Sequence, residues 1–175
     1  NIYTPPSPSY SMALLLEDRV VVEEEAEASR LQQRGFGKVL GKKLELSLLE
    51  ALYLMERESL EVTIGKKALE PKELLAKGEE EFLLRYKVYR DLRERGYIVK
   101  TGFKFGAHFR VYERGEFLTE HSKYLVHAVP ENYVVPFPEL SRAVRLAQGV
   151  KKVMVFAVVD DEGDITYYTV DRFSP

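Results

Sequence analysis

The sequence predicts an α/β chain of two domains: a mixed α+β first half, and a second half built on a mixed sheet flanked by helices. Three observations lead there. Helical apolar spacing is strongest in "LELSLLEALYLMERES" and in "EEEFLLRYKVYRDLRERG", which ends at Gly96. Beyond Gly96, five runs rich in Val, Ile, Tyr and Phe follow one another with one helical segment among them. Charge also divides: residues 1–85 carry 12 Lys+Arg against 16 Asp+Glu, a net of −4, and residues 86–175 carry 14 against 12, a net of +2. We place the domains at 1–85 and 86–175, with 1–11, "NIYTPPSPSYS", as an arm or leader because of its three prolines.

In chain order, "MALLLEDRVVVEEE" reads as two short strands around a Glu-Asp turn, followed by the helix "EAEASRLQQRG" stopping at Gly35. In the next helix Leu46, Leu49, Leu52 and Tyr53 recur at three- and four-residue spacing, and Ser47 with Glu50 can form a capping box. "LEVTI" is a strand. "EPKELLAKG" is a short helix with Pro71 in its first turn and Gly78 as its stop. The second-half strands are "YIVKTG", "HFRVY", "KYLVHAV", "VMVFAVVD" and "ITYYTV", and the helix among them is "PELSRAVRLAQGV", between Pro138 and Gly149.

Composition narrows the classes. Zero cysteines removes disulfides and thiolate metal sites and fits a cytoplasmic protein. No stretch approaches a membrane span, and no secretory pattern is present. A charged fraction of 31%, with two Asn and three Gln, leans toward a thermophile.

Strand alternation in "HFRVY" sets His108, Arg110 and Tyr112 on one face and Phe109 with Val111 on the other. If the following strand returns as a hairpin around 113–120, Tyr112 and His121 face each other at its two ends. In "GVKKVMVFAVVD", Lys151 and Lys152 stand at the mouth of an apolar run, and one of them can point into the same site. A phenol, an imidazole and an ammonium suit metal-free acid–base chemistry on a substrate that brings its own negative charge. Each residue also has an ordinary role: strand-edge solvation for the His, packing for the Tyr, and helix capping for the Lys pair.

The stretches "YRDLRERGYIVKTGFKFGAHFRVYERG", "HSKYLVHAVPE" and "LSRAVRLAQGVKKVMVFAVVDDEGDITYY" resemble the archaeal tRNA-intron splicing endonucleases of the short-chain catalytic type, in order and at similar spacing over residues 86–170. "LELSLLEALYLME" is similar to that family's amino-terminal domain. The resemblance implies catalysis by Tyr112, His121 and Lys152; it favours Lys152 over Lys151, whose position is often arginine in similar sequences, and leaves His108 peripheral. It implies that Tyr112 takes the proton from a ribose 2′-hydroxyl and His121 protonates the departing 5′-oxygen, with Lys152 stabilising the phosphate charge. A 2′,3′-cyclic phosphate and a 5′-hydroxyl result, with no metal or other cofactor. A phenol ordinarily titrates near pH 10, so cations such as Lys152 and Arg110 are needed to make Tyr112 a base.

The substrate implied is precursor tRNA at a bulge–helix–bulge. Arg145 matches an arginine that pinches a bulged base, and Arg142, one turn earlier, can reach a phosphate. The turn "DDEGD" lacks the spacing of a calcium loop. By resemblance its Asp160, Asp161, Glu162 and Asp164 insert into a basic cleft of a neighbouring subunit. A homotetramer is implied, with a heterotetramer containing a sister subunit as the rival. Two other classes remain: a non-catalytic assembly and RNA-docking subunit, and a metal-dependent DNA nuclease. The second is raised because the second half resembles restriction-endonuclease-like domains, but it needs acidic metal ligands on strands.

Overall fold

A computed structural model describes residues 11–78, 81–114 and 121–175. The arm expected at 1–11 and the hairpin loop expected at 113–120 therefore lie largely outside the described residues. Packing divides the chain into two units, 1–80 and 81–175, each with its own mixed sheet, and five α-helices occur among the described residues.

In the first unit, β1 (Ser11–Leu16) and β2 (Arg19–Val22) form the expected hairpin, with Glu17 at φ 57° in the turn. Helix α1 (Glu25–Gln33) follows, its first amides capped by the Glu24 carboxylate. Two strands then appear that the sequence reading passed over, β3 (Lys38–Leu40) and β4 (Lys43–Ser47). Leu46 belongs to β4 and not to the helix: the leucine spacing runs on one turn beyond the helix into the strand, where Leu46 is buried as well. Helix α2 (Leu48–Glu56) begins after Ser47 with the expected capping box. β5 (Leu60–Ile64), β6 (Lys67–Ala68) and α3 (Pro71–Ala76, Pro71 at its start) complete the unit. The sheet order is β3-β4-β2-β1-β5-β6, and β1 with β5 is its parallel pair. Val20, Leu31, Leu44, Leu46 and Leu54 are fully buried at its core.

Glu50 joins helix to loop. One carboxylate oxygen accepts from Ser47 N–H at 3.0 Å and the other from Gly37 N–H at 2.6 Å. Gly37 stands at φ 73°, where a Cβ would come within 2.7 Å of Leu44 Cγ, so the close approach of loop to strand requires glycine.

The second unit opens with α4 (Phe82–Glu94), which ends before Gly96 at φ 93°. Its sheet has the order β11-β10-β9-β8-β7, from β7 (Ile98–Thr101), β8 (Phe109–Tyr112), β9 (Tyr124–Pro130), β10 (Val153–Val159) and β11 (Ile165–Val170). All five were expected. Only β9 and β10 run parallel, and α5 (Phe137–Gly149) is the crossover between them. α4 covers one face with Tyr86, Val88, Tyr89 and Leu92, and the Tyr89 ring lies 6.0 Å from that of Phe109. On the other face, Val144 and Ala147 of α5 pack on Leu125 and Met154. Tyr167 on β11 donates to Asp91 of α4 at 2.6 Å; burial and that carboxylate push its phenol pKa up, so it stays protonated. Among the described residues, no helix is long and apolar enough to cross a membrane.

Replacing Glu50 with alanine leaves the part-buried amides of Gly37 and Ser47 without this partner. We expect a loss of about 2 kcal/mol in urea unfolding, with Glu50→Gln recovering only part of it, because its single amide oxygen can accept from one of the two amides.

Candidate active site

β8 lies between β7 and β9, and its residues sort by face as strand geometry requires. Phe109 and Val111 are buried toward α4. Arg110 pairs with Leu125 across β9, so His108, Arg110 and Tyr112 take the α5 face. Arg110 is anchored by its Nε–H, which donates to the Thr101 carbonyl at 2.8 Å. Tyr112 closes the strand opposite Ile98 and is buried.

The β8–β9 register differs from the one expected. Val111 pairs with Tyr124, and Lys123 N–H donates to Val111 at 2.9 Å. The next step sets Lys123 across from Tyr112, with His121 two residues further along and exposed to solvent. The Lys123 ammonium is held at 2.6 Å by Glu113, whose carboxylate it keeps below the usual pKa range.

The two lysines at the end of α5 are placed differently by the backbone. Lys151 takes the left-handed region at φ 57° and is exposed. Lys152 follows with its N–H on the Ala147 carbonyl at 2.8 Å, and its ammonium donates to the Ser122 carbonyl at 2.7 Å. That ammonium also lies 5.4 Å above the Phe105 ring. Desolvation, and then the charge of Arg110, lower its pKa. Val153 N–H bonds to the Lys123 carbonyl at 2.9 Å, so residues 121–123 are fastened to the start of β10. The structure therefore gathers Arg110, the end of β8 at Tyr112, Lys152 and the segment beginning at His121 at one end of the sheet.

Arg142 and Arg145 are exposed on α5, and Arg142 contributes to a groove on that face. In the turn between β10 and β11, one oxygen of Asp160 accepts from the amides of Glu162 and Asp164, each at 2.9 Å. Gly163 takes φ 87° there, and Asp161, Glu162 and Asp164 face solvent. Among the described residues, no group of three His, Asp or Glu side chains is placed to hold a metal ion.

The sequence reading missed Phe105, Thr101 and Ser122, which set the positions of Lys152 and Arg110. Only the glycines of "TGFKFG" signalled them. A Cβ on Gly102 would stand 2.8 Å from the Phe109 carbonyl carbon and 2.9 Å from the Ala107 oxygen, so this glycine permits the tight turn that brings Phe105 to Lys152. His108 has a structural task. Its Nδ1 accepts from Ala128 N–H at 2.8 Å, replacing a ladder bond where the chain turns away from β9. Burial first, then the charges of Arg85 and His127, hold its pKa down to about 4 from the usual 6.5.

This end of the sheet brings a phenol, a guanidinium, an ammonium and an imidazole-bearing segment together, groups of the kind that acid–base chemistry on an anionic substrate uses. Comparison with known proteins shows the family. Residues 82–167 match the model of the tRNA intron endonuclease catalytic C-terminal domain, and residues 12–75 match that of the tRNA intron endonuclease N-terminal domain. A tRNA-splicing endonuclease of Thermococcus kodakarensis is 51% identical over 142 residues, 79% of this chain and 83% of that protein. Those of Methanothermobacter thermautotrophicus and Pyrococcus furiosus are 45% and 44% identical, over 91% and 88% of this chain and 95% and 91% of their own lengths. The chain belongs to the tRNA intron endonuclease family and is an endonuclease.

His108 gives a pH prediction. Below pH 6.5 the unfolded chain binds a proton that the folded imidazole does not, so stability falls as the pH drops from about 6.5 toward about 4. Thermal melts at pH 7 and 4.5 should show a larger drop for the wild type than for His108→Asn, whose amide oxygen can still accept from Ala128 N–H.

Proposed function

We propose that the chain cuts precursor tRNA at bulge–helix–bulge intron junctions by metal-independent attack of a ribose 2′-hydroxyl. The observation that carries this reading is the 2.7 Å bond from the Lys152 ammonium to the Ser122 carbonyl, one residue from His121, with Arg110 beside it on the strand that ends at Tyr112.

In this mechanism the Tyr112 phenolate takes the 2′-hydroxyl proton, and the oxygen so released attacks the adjacent phosphorus. The bond from phosphorus to the 5′-oxygen breaks as the His121 imidazolium gives that oxygen its proton. Lys152 stabilises the charge on the non-bridging oxygens, and Arg110 adds a second cation close by. The products are a 2′,3′-cyclic phosphate and a 5′-hydroxyl end. Arg142 and Arg145 project from α5 as RNA contacts. The two domains, one before α4 and one from α4 onward, work in the cytoplasm. The outward carboxylates of Asp161, Glu162 and Asp164, on a turn braced by Asp160, hold subunits together in a homotetramer. Two cleavage centres at a fixed separation then meet the two bulges.

Cleavage of a bulge–helix–bulge RNA in excess EDTA tests this. The wild type should give cyclic-phosphate and 5′-hydroxyl ends, and His121→Ala or Tyr112→Phe should lose at least about 100-fold in rate. Cleavage unaffected by His121→Ala would sink the assignment. Absence of wild-type cleavage would point instead to a docking subunit that needs a sister chain. Lys152→Ala should lose about 100- to 1000-fold, whereas Lys151→Ala should remain close to the wild type.

A further inference from the structure

The α5 face of the second unit holds a groove of about 460 Å³ that the cleavage chemistry does not use. This lies within the range of about 300–1,000 Å³ common for small-ligand sites. A row of rings crosses it. His108 and His127 have centroids 6.1 Å apart, His127 and Phe156 are separated by 5.4 Å, and Phe156 and Tyr133 by 6.4 Å. The row thus runs from the β8 edge over β9 and β10 to the β9–α5 connection. Glu139, Arg142 and Leu146 of α5 form the facing wall.

Charge decides what can enter. Glu81 and Glu139 oppose the single guanidinium of Arg142 on the groove lining. Burial keeps both imidazoles below their usual pKa range, so they add no positive charge near neutral pH. With the charge of Arg85 also reaching His108, the lining holds no concentration of positive charge to seat a phosphate or the acidic 160–164 turn of a second copy. A flat uncharged ring with hydrogen-bonding edges suits it: the rings offer a stacking surface, and Glu139 with Arg142 offers an acceptor and a donor for the edge. The groove is also continuous with the candidate active site, because Phe105 lines it and lies 5.4 Å from the Lys152 ammonium.

We propose that this groove holds one unpaired base of the RNA substrate, stacked on the row formed by His127, Phe156 and Tyr133. It rests on the RNA-cleavage reading above and adds a specificity site to it. A base held there fixes how far along the strand the phosphate at Lys152 lies. A fully paired duplex has no base to place in it.

The test uses the full chain and a bulge–helix–bulge RNA carrying a 2′-deoxynucleotide at the cut site, with 5-iodouridine placed at each bulged position in turn. Irradiation followed by mass spectrometry should map one position to Tyr133, Phe156 or His127. Tyr133→Ala should weaken binding of the uncut RNA about tenfold, and Tyr133→Phe should restore it. The loss should vanish on RNA that is abasic at the crosslinked position. Crosslinks only outside the groove, or an equal loss on the abasic RNA, would overturn the proposal. So would a drop in assembly mass for Tyr133→Ala in light scattering, which would assign the groove to contact between copies. Cleavage of all-ribose RNA separates the two readings. Crosslinking in the groove without cleavage leaves this proposal standing and removes the catalytic one. Cleavage without groove crosslinks does the reverse.

Discussion

The parallel pairing of β9 with β10, from Val153 beside Tyr124 to Val159 beside Pro130, is the constraint on which the second unit depends. Parallel neighbours cannot be joined by a tight turn, so the chain must cross over the sheet, and α5 is that crossover. Two consequences follow. The sheet gains a cover on the face that α4 leaves open, and both strands begin at the same end. Lys152, one residue before β10, therefore reaches the Ser122 carbonyl just ahead of β9. An antiparallel pairing would have put the lysine at the far end of β9, a strand length away.

The two faces of that sheet do different work because alternation is strict. Phe109, Val111, Val126 and Ala157 pack under α4 and are almost wholly buried. The α5 face is mixed. Leu125 and Met154 anchor α5, while polar residues gather toward both ends: Arg110, Tyr112 and Lys152 at one, and His108 and His127 along the groove. Taking these groups partly out of water is costly unless they are bonded. The structure supplies the bonds from the main chain: Thr101 to Arg110, Ser122 to Lys152, and Ala128 to His108. Backbone partners of this kind fix direction without adding competing charge.

Much of the fold was legible in the sequence. The five second-half strands are dense in β-branched and aromatic residues, and their pattern persists because both faces are covered. α2 was visible through its capping box, although the leucine spacing ran on into β4: Leu46 faces the core from a strand as readily as from a helix turn. β3 and β6 were missed because they are short edge strands with exposed residues, where burial leaves no mark on composition. In the site, residue types flagged Tyr112, His121 and the lysine pair. The direct opposition of Tyr112 and His121 did not survive the register, which puts Lys123 across from Tyr112.

What the sequence determined by itself was local: where strands and helices form, which positions are glycine because the backbone needs them, and which chemical groups are available. Those properties depend on neighbours within a few residues, and the chain carries them wherever it goes. Only the tertiary structure set the Lys152 ammonium on the Ser122 carbonyl while leaving Lys151 exposed, gave His108 a neutral imidazole bonded to Ala128, and brought His127, Phe156 and Tyr133 into one row. Each of those outcomes joins residues 20 or more positions apart or turns on the direction of a backbone at one residue. Such relations are set by sheet register and crossover geometry, which no local stretch of sequence encodes.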